Sequence, residues 1–177
     1  MNLFRKLANR TTPIDETALH YIWLSLACGF ASAAARELIS AYHGAGAVYA
    51  EEDFSSRTDL SEPLRKRLSE KDLSDAQEIY KACREKGIGI LTYESDLYPS
   101  RLRTLTNPPA VLYYRGRITN LDCEPCVAVV GTRSVSRYGE EVTDWFGYEL
   151  AKSCAFVVSG LAKGAVGIAH RAALRAG

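Results

Sequence analysis

Two short apolar runs, each followed by a glycine-containing loop, constrain the fold of this chain most. The first run is V-A-V-V at residues 127–130, followed by G-T-R, and the second is F-V-V at residues 156–158, followed by S-G-L-A-K-G. The segment between them, residues 137–153, carries apolar residues at helical spacing. Uninterrupted apolar strands are typical of a parallel sheet that is covered on both faces. The order of these segments therefore predicts a βαβ unit followed by a further helix.

Both loops follow the carboxyl ends of predicted parallel strands, which is where ligands bind in such sheets. Gly131 lets the backbone approach a ligand, and Arg133 presents a forked cation beside a helix start. In the second loop, Gly160 and Gly164 leave backbone amides exposed and Lys163 adds a point charge. This combination suits a phosphate, so we expect a pocket for a phosphodiester or a nucleotide.

The same residues allow a structural interpretation, in which the glycines only permit tight turns and both cations lie in solvent. No dinucleotide fingerprint is present, because Gly131 and Gly139 are too far apart. Ser159 lacks the surroundings of a nucleophile, since no G-x-S-x-G elbow and no orienting acid accompany it. His170 falls among alanines on the last predicted helix, which favours a packed helix residue over a general base.

Composition and charge narrow the possible partners. The net charge is +1 and 47% of the residues are hydrophobic, which is typical of a globular protein without a global field for nucleic acid or membrane. Residues 96–117 hold four arginines and one aspartate, a local basic stretch that can equally be a solvated face. Five cysteines include a single C-x-x-C at Cys123 and Cys126. Without a second pair we expect reduced thiols and no metal.

Residues 1–86 are predicted to form a small domain of four or five helices. Thr12 and Pro13 begin the first helix, whose apolar part (residues 21–28) is too short for a membrane span and is expected in the core. Further short helices are predicted at residues 54–60, 63–68 and 73–86. The turn H-G-A-G at residues 43–46 has the spacing of a helix-hairpin-helix, but the acids that follow it favour a plain packing turn. From residue 87 the pattern becomes strand-like, in I-G-I-L-T-Y and A-V-L-Y-Y-R-G, so we expect a second domain over residues 87–177.

Several motifs resemble the bacterial DNA-processing protein A family, also called Smf. They are V-A-V-V-G-T-R-S-V-S-x-Y-G, V-V-S-G-L-A-K-G, A-H-R-A-A-L and the upstream Y-P-S-R-L-R-T-L-T-N-P-P-A-V-L-Y-Y-R-G. The resemblance implies an α/β fold class, with an N-terminal all-helical SAM-like domain before an incomplete Rossmann-like parallel sheet domain. It also implies a cytoplasmic, non-enzymatic protein without cofactors, which binds single-stranded DNA without sequence preference.

The resemblance assigns site residues by motif. The family's DNA pocket corresponds to Gly131, Thr132, Arg133, Ser159, Gly160, Lys163 and Gly164. Arg115 and Arg117 are possible outer contacts. As partners, the family implies RecA recombinase, which it loads during natural transformation, and a second copy in a homodimer, but no membrane.

Two departures from the family's pattern qualify these expectations. Val166 stands where the family usually has an acid after the second loop. The sequence also stops at Gly177, whereas the family continues through further strands and helices that carry the dimer contact and the recombinase-loading surface. A sheet that ends here has an unpaired edge and an uncovered face, so we expect a fragment or a truncated reading frame.

Two hypotheses from other classes compete with DNA binding. One is a Rossmann-like enzyme that binds or hydrolyses nucleotides, although its acidic catalytic residue and glycine-rich loop are not found in this sequence. The other is a non-functional remnant that folds only in its helical part.

Overall fold

The computed structural model describes residues 15–177, so the predicted helix start at Thr12 and Pro13 lies outside the described part. The chain forms two compact units, of which the first ends at Ile118 and the second comprises Thr119–Gly177.

In the described part of the first unit, residues 15–118, five helices precede the first strand. Helix α1 begins after Asp15, whose carboxylate accepts a hydrogen bond from the Ala18 N–H at 3.2 Å, and it ends at Gly29 with a φ of 97°. Helix α2 ends at His43 in the left-handed conformation. The helices are α1 (Glu16–Cys28), α2 (Ala33–Tyr42), α3 (Ala45–Ala50), α4 (Glu62–Glu70) and α5 (Ser74–Glu85).

Helix α1 is the centre of the first unit. Its Tyr21, Ile22 and Leu24 have no exposed surface, and α2, α3, α4 and α5 all contact it. A helix that is apolar on most sides must be surrounded by other elements, which is why this one is buried. The prediction that residues 21–28 form a core helix is confirmed. No helix in residues 15–177 combines the length and apolarity that a bilayer crossing requires.

The prediction of a helix at residues 54–60 is wrong, because this segment forms turns. The Asp53 carboxylate accepts hydrogen bonds from the Ser55 N–H at 2.7 Å and from its hydroxyl at 2.9 Å. Arg57 and Asp59, two residues apart, form an ion pair at 2.6 Å. Short polar side chains that bond the nearby backbone compete with helix formation, and here they determine the local structure.

The H-G-A-G turn between α2 and α3 is filled by the protein itself. Gly44 has a φ of 129°, and a Cβ atom placed there would overlap the carboxylate of Glu94. An acid that occupies the turn excludes a phosphate from the same place. This contact favours the packing interpretation over a DNA-binding helix-hairpin-helix.

Two strands and a short helix complete the first unit. Strands β1 (Gly89–Thr92) and β2 (Val111–Tyr114) pair antiparallel, and α6 (Ser100–Arg103) lies between them in sequence. The Arg103 guanidinium donates to the carbonyl of Tyr93 at 3.0 Å and to that of Ser95 at 2.8 Å. The buried Tyr98 hydroxyl donates to the carbonyl of Pro109 at 2.7 Å. The Y-P-S-R-L-R segment therefore has a structural role, since it holds the connection between the strands.

The pairing of β1 with β2 differs from the predicted organisation. The sequence placed both strands in the second domain, which was expected to begin at residue 87. In the structure they form a sheet of their own, β1 packs on α1, and Val111 lies in the core of the first unit. The first compact unit therefore extends to Ile118, because burial of apolar side chains joins this strand pair to the helices.

The second unit has the predicted alternation of strands and helices. Strands β3 (Cys126–Ala128) and β4 (Phe156–Val158) pair parallel, and helices α7 (Arg137–Lys152) and α8 (Ala165–Ala176) follow them. Ser136 caps α7, because its hydroxyl accepts a hydrogen bond from the Gly139 N–H at 3.2 Å. The predicted α/β fold class, with a helical part followed by a short Rossmann-like parallel sheet, is confirmed.

Candidate phosphate-binding site

The two glycine loops meet at the carboxyl edge of β3 and β4. The Ala165 N–H, at the start of α8, donates to the carbonyl of Thr132 in the first loop at 3.1 Å. Gly164 has a φ of 82°, and a Cβ atom there would overlap the carbonyl oxygens of Thr132 and Arg133. Only glycine allows such close approach of two backbones. The second loop therefore lies directly against the first.

The hydroxyl groups of the two loops hold the loops in shape. The Thr132 hydroxyl donates to the carbonyl of Ser134 at 3.1 Å and accepts from the Ser134 N–H at 3.2 Å. The Ser159 hydroxyl donates to the carbonyl of Val129, which ties the ends of β3 and β4 together. Because its proton is used in this bond, Ser159 is not presented as a nucleophile.

The amide groups around the loop contact are left without acceptors. Among residues 15–177, no acceptor is found for the backbone N–H groups of residues 160–164, nor for those of Val166 and Gly167 in the first turn of α8. Helix α8 has no side-chain cap and no acid in its first turn. Unpaired amides at the positive end of a helix dipole are a favourable place for an anion.

Two cations flank these amides. Arg133 and Lys163 are exposed, and within the described part of the chain neither side chain makes a hydrogen bond or an ion pair. Arg133 and Gly164 line an open pocket of about 600 Å³. Lys163 immediately precedes Gly164 in the second loop. The two loops are in contact through their backbones. One of them thus carries a free guanidinium group and the other a free ammonium group.

The pocket has acidic and apolar walls as well. Its lining residues are Arg133, Val135, Glu140, Glu141, Asp144, Gly164, Ile168 and Arg171. Arg175 donates a hydrogen bond to the Asp144 carboxylate at 2.7 Å, and this bond lowers the pKa of Asp144. Asp144 therefore stays ionised and paired at neutral pH. The sequence analysis did not identify these acids or Arg171 as part of the site.

Other residues singled out in the sequence lie elsewhere or have structural surroundings. Arg115 and Arg117 belong to the first unit, where Arg115 donates to the carbonyl of Lys86 at 3.3 Å. The Nε2 atom of His170 is buried without a hydrogen-bond partner and lies in an apolar pocket with Phe156. Within residues 15–177, no group of three or more histidine, cysteine or acidic side chains is arranged to hold a metal ion.

Comparisons with known proteins give the second half of the chain a clear relationship. The model of the DNA recombination-mediator protein A family matches residues 89–177. The DNA processing protein DprA of Bacillus subtilis (strain 168) is 37% identical over 95 residues, which are 54% of this chain and 32% of that protein.

One solved structure agrees with this relationship. DprA from Streptococcus pneumoniae aligns with a TM-score of 0.51 and 29% identity, over 64% of this chain and 38% of its own. DNA processing protein A from Helicobacter pylori, solved for its single-stranded DNA binding mode, aligns over 48% of this chain and 39% of its own, with 38% identity and a TM-score of 0.43. The matched part of the chain covers between 23% and 39% of the length of the relatives that it matches.

Proposed function

The chain belongs to the DNA recombination-mediator protein A family, and on this basis we propose that it binds single-stranded DNA through the phosphate backbone. One observation carries the proposal: two glycine loops touch, and each supplies an unpaired cation beside unpaired amides. The relationship to proteins that process DNA supports a phosphodiester as the anion.

The chemistry of the loops suits a phosphodiester in a single strand. The amides and the dipole of α8 attract the phosphate oxygens, Arg133 can form two parallel hydrogen bonds to them, and Lys163 adds a charge. Contacts of this kind carry no sequence information, so we expect binding to be independent of sequence. A near-neutral protein can bind DNA in this way because Arg133 and Lys163, which have no ion-pair partner among the described residues, present their charges at one edge of the sheet.

Each predicted site residue has a role in this proposal. Arg133 and Lys163 contact the phosphate directly, and Gly160 leaves the backbone accessible to it. Gly131 lets the first loop approach the start of α8, since a Cβ atom there would lie 2.6 Å from the Ala165 Cβ. Gly164 joins the loops. The hydroxyls of Thr132 and Ser159 shape the loops through bonds within the protein. The family match begins at residue 89, close to the predicted start of the second domain. This supports the proposal that residues 87–177 form the DNA-binding domain that the family shares.

A double substitution, Arg133→Ala with Lys163→Ala, tests the proposal. Loss of both cations removes two charge-assisted contacts, so we expect the affinity for a mixed-sequence oligonucleotide to fall by about 50-fold or more at low salt. Fluorescence anisotropy measures the affinity, and a thermal melt by circular dichroism shows that the fold is retained.

The matched control is Lys81→Ala with Lys152→Ala, which removes the same charge from exposed positions outside the loops. We expect its affinity to stay within about twofold of the parent, since exposed surface charges that do not contact the DNA are screened at moderate salt. Equal affinities of the two double variants would refute the proposed site.

A nucleotide-binding enzyme is the alternative, because a pocket of about 600 Å³ beside Arg133 has room for a nucleoside phosphate. We favour a binding protein over an enzyme, since the Ser159 hydroxyl is already engaged by Val129. Calorimetric titration separates the two: heat of binding with a short oligonucleotide supports our proposal, whereas tighter binding of adenosine triphosphate would contradict it.

Family membership also suggests partners, and we propose them on that ground. RecA recombinase is the proposed protein partner, in line with the mediator role that the family's description states. A homodimer, a cytoplasmic location, and Arg115 and Arg117 as outer DNA contacts are proposed on the same ground. A pull-down of RecA by the chain with bound oligonucleotide tests the first of these, and no capture of RecA would contradict it.

A further inference from the structure

We propose that Arg171 is a third cationic contact of the DNA site, and that it binds the phosphate next to the one held by the two loops. The proposal rests on the proposed function, because it needs a strand bound at Arg133 and Lys163. It assigns DNA binding to a residue of α8 that lies outside both loops.

The side chain of Arg171 extends back toward the start of α8. A Cβ atom placed on Gly167, one turn earlier, would lie 3.4 Å from Arg171 Nη1. Helical side chains lean toward the helix N-terminus, which explains how a residue in the second turn reaches the first. Arg171 also lines the pocket that Arg133 and Gly164 line. Its guanidinium therefore lies beside the unpaired amides and on the same pocket as Arg133.

Ion pairs on the neighbouring helix leave this guanidinium free. Three carboxylates of α7 line the pocket. Glu141 is paired with Arg137 at 3.3 Å, and Asp144 is paired with Arg175 at 2.7 Å. Within residues 15–177, Arg171 makes neither a hydrogen bond nor an ion pair. Two of the three acids thus have other arginines as ion-pair partners, although Asp144 also attracts Arg171. The guanidinium groups of both pocket arginines remain available to donate hydrogen bonds.

The surroundings of Arg171 combine one attraction with two repulsions. The Asp144 carboxylate attracts its charge, whereas the positive end of the α8 dipole and the second arginine on the same pocket repel it. Glu140 is the pocket carboxylate for which the described residues show no cation partner. A phosphate in the pocket would accept hydrogen bonds from Arg171 and offset this repulsion. The pocket of about 600 Å³ is large enough for the nucleotide that follows the one at the loops.

Three substitutions, each made in the whole chain, test the inference, because each is expected to change the affinity for DNA or its salt dependence in a different way. Arg171→Gln removes one phosphate contact, so we expect about fivefold weaker binding and a salt slope (log K against log salt) that is shallower by about 0.7. Glu140→Gln removes a negative charge from the pocket, so we expect tighter binding. Arg171→Lys keeps the charge and should keep the slope.

Lys152→Gln is the matched control, because it makes the same charge change at the far end of α7. We expect its affinity and slope to equal those of the parent. An Arg171→Gln variant that behaves like Lys152→Gln would overturn the inference. If Arg171→Gln fails to fold, Glu140→Gln decides: tighter binding supports the inference and unchanged binding overturns it.

The same titrations distinguish this inference from the proposed function. If Arg133→Ala weakens binding and Arg171→Gln does not, the site stands and Arg171 has no part in it. If Arg133→Ala leaves binding unchanged, the site itself is wrong and the inference falls with it.

Discussion

Gly164 shows how much of the site depends on a single residue. Its positive φ and its contact with two carbonyl groups of the first loop leave no room for a side chain. Gly160, in the same loop, has nothing within 4 Å of the position that a Cβ would take. The two glycines look alike in the sequence, but only one of them joins the loops.

Substitution of each glycine by alanine tests this difference. We expect Gly164→Ala to lower the free energy of unfolding of the second unit by about 2 kcal/mol or more, through strain at positive φ and overlap with the backbone. DNA binding should fall with it, because the loops must separate. Gly160→Ala should change stability by less than about 0.5 kcal/mol. Urea unfolding followed by circular dichroism measures both, and equal effects would contradict the assigned role of Gly164.

At the scale of elements, the packing of α7 on α8 sets the position of both loops. The buried Gly147 lets the helices approach closely, since a Cβ there would lie 2.7 Å from the carbonyl oxygen of Ala169 and 3.1 Å from the Ala172 Cβ. Helices in contact through small residues have closely spaced axes. Because each helix begins at one of the loops, a change in their separation would move the loops apart.

Gly147→Ala is therefore expected to destabilise the second unit, although alanine is favoured over glycine in helices by about 1 kcal/mol. The clash is with backbone atoms, which cannot rotate away. Gly139→Ala makes the same change in the same helix, but its new Cβ would meet a methyl group of Val135, which can move. We expect that variant to be neutral or more stable. Thermal melts compare the two, and a stabilised Gly147→Ala variant would show that the helices tolerate a wider spacing.

At the scale of the whole molecule, the two units differ in how much apolar surface they bury. The large, fully buried side chains lie in the first unit, with Tyr21, Phe54 and Tyr98 as the largest. In the second unit the buried side chains are small, namely Ala165, Val166, Ala169 and Ala172. Several of its apolar side chains are exposed, among them Val130 (85%), Trp145 (58%) and Leu174 (82%). Burial of apolar surface is the main stabilising contribution, so stability should be unequal.

Hydrogen exchange followed by mass spectrometry tests this inequality in the intact chain. We expect the amides of α1 to exchange at least about 100-fold more slowly than those of α7 and α8, because opening α1 requires unfolding of the larger core. Bound oligonucleotide should slow exchange in the second unit. Equal protection in the two units would contradict this account. Complete exchange of α7 and α8 that oligonucleotide does not slow would favour the hypothesis of a non-functional remnant.

The sequence by itself determined the elements whose signals are local. Apolar periodicity predicted α1 and the strand–helix order of the second unit, and residue chemistry predicted the two loops with Arg133 and Lys163. Local signals were insufficient at residues 54–60, where turns formed by side-chain hydrogen bonds replaced the expected helix. The predicted domain start at residue 87 lies close to residue 89, where the family match begins. The compact units divide after Ile118 instead, because no local pattern shows which core a strand pair will join.

The tertiary structure alone decided how side chains far apart in sequence share the site. The contact of Gly164 with Thr132, the engagement of the Ser159 hydroxyl by Val129 and the ion pairs of α7 all connect residues that the sequence separates or leaves unmatched. Arg171 shows this most clearly. Its side chain leans toward the start of the helix, as helical side chains do in general. The pocket that it reaches, however, exists only because two helices pack together. Residue chemistry is fixed by sequence, whereas the partners of each charge are fixed by packing.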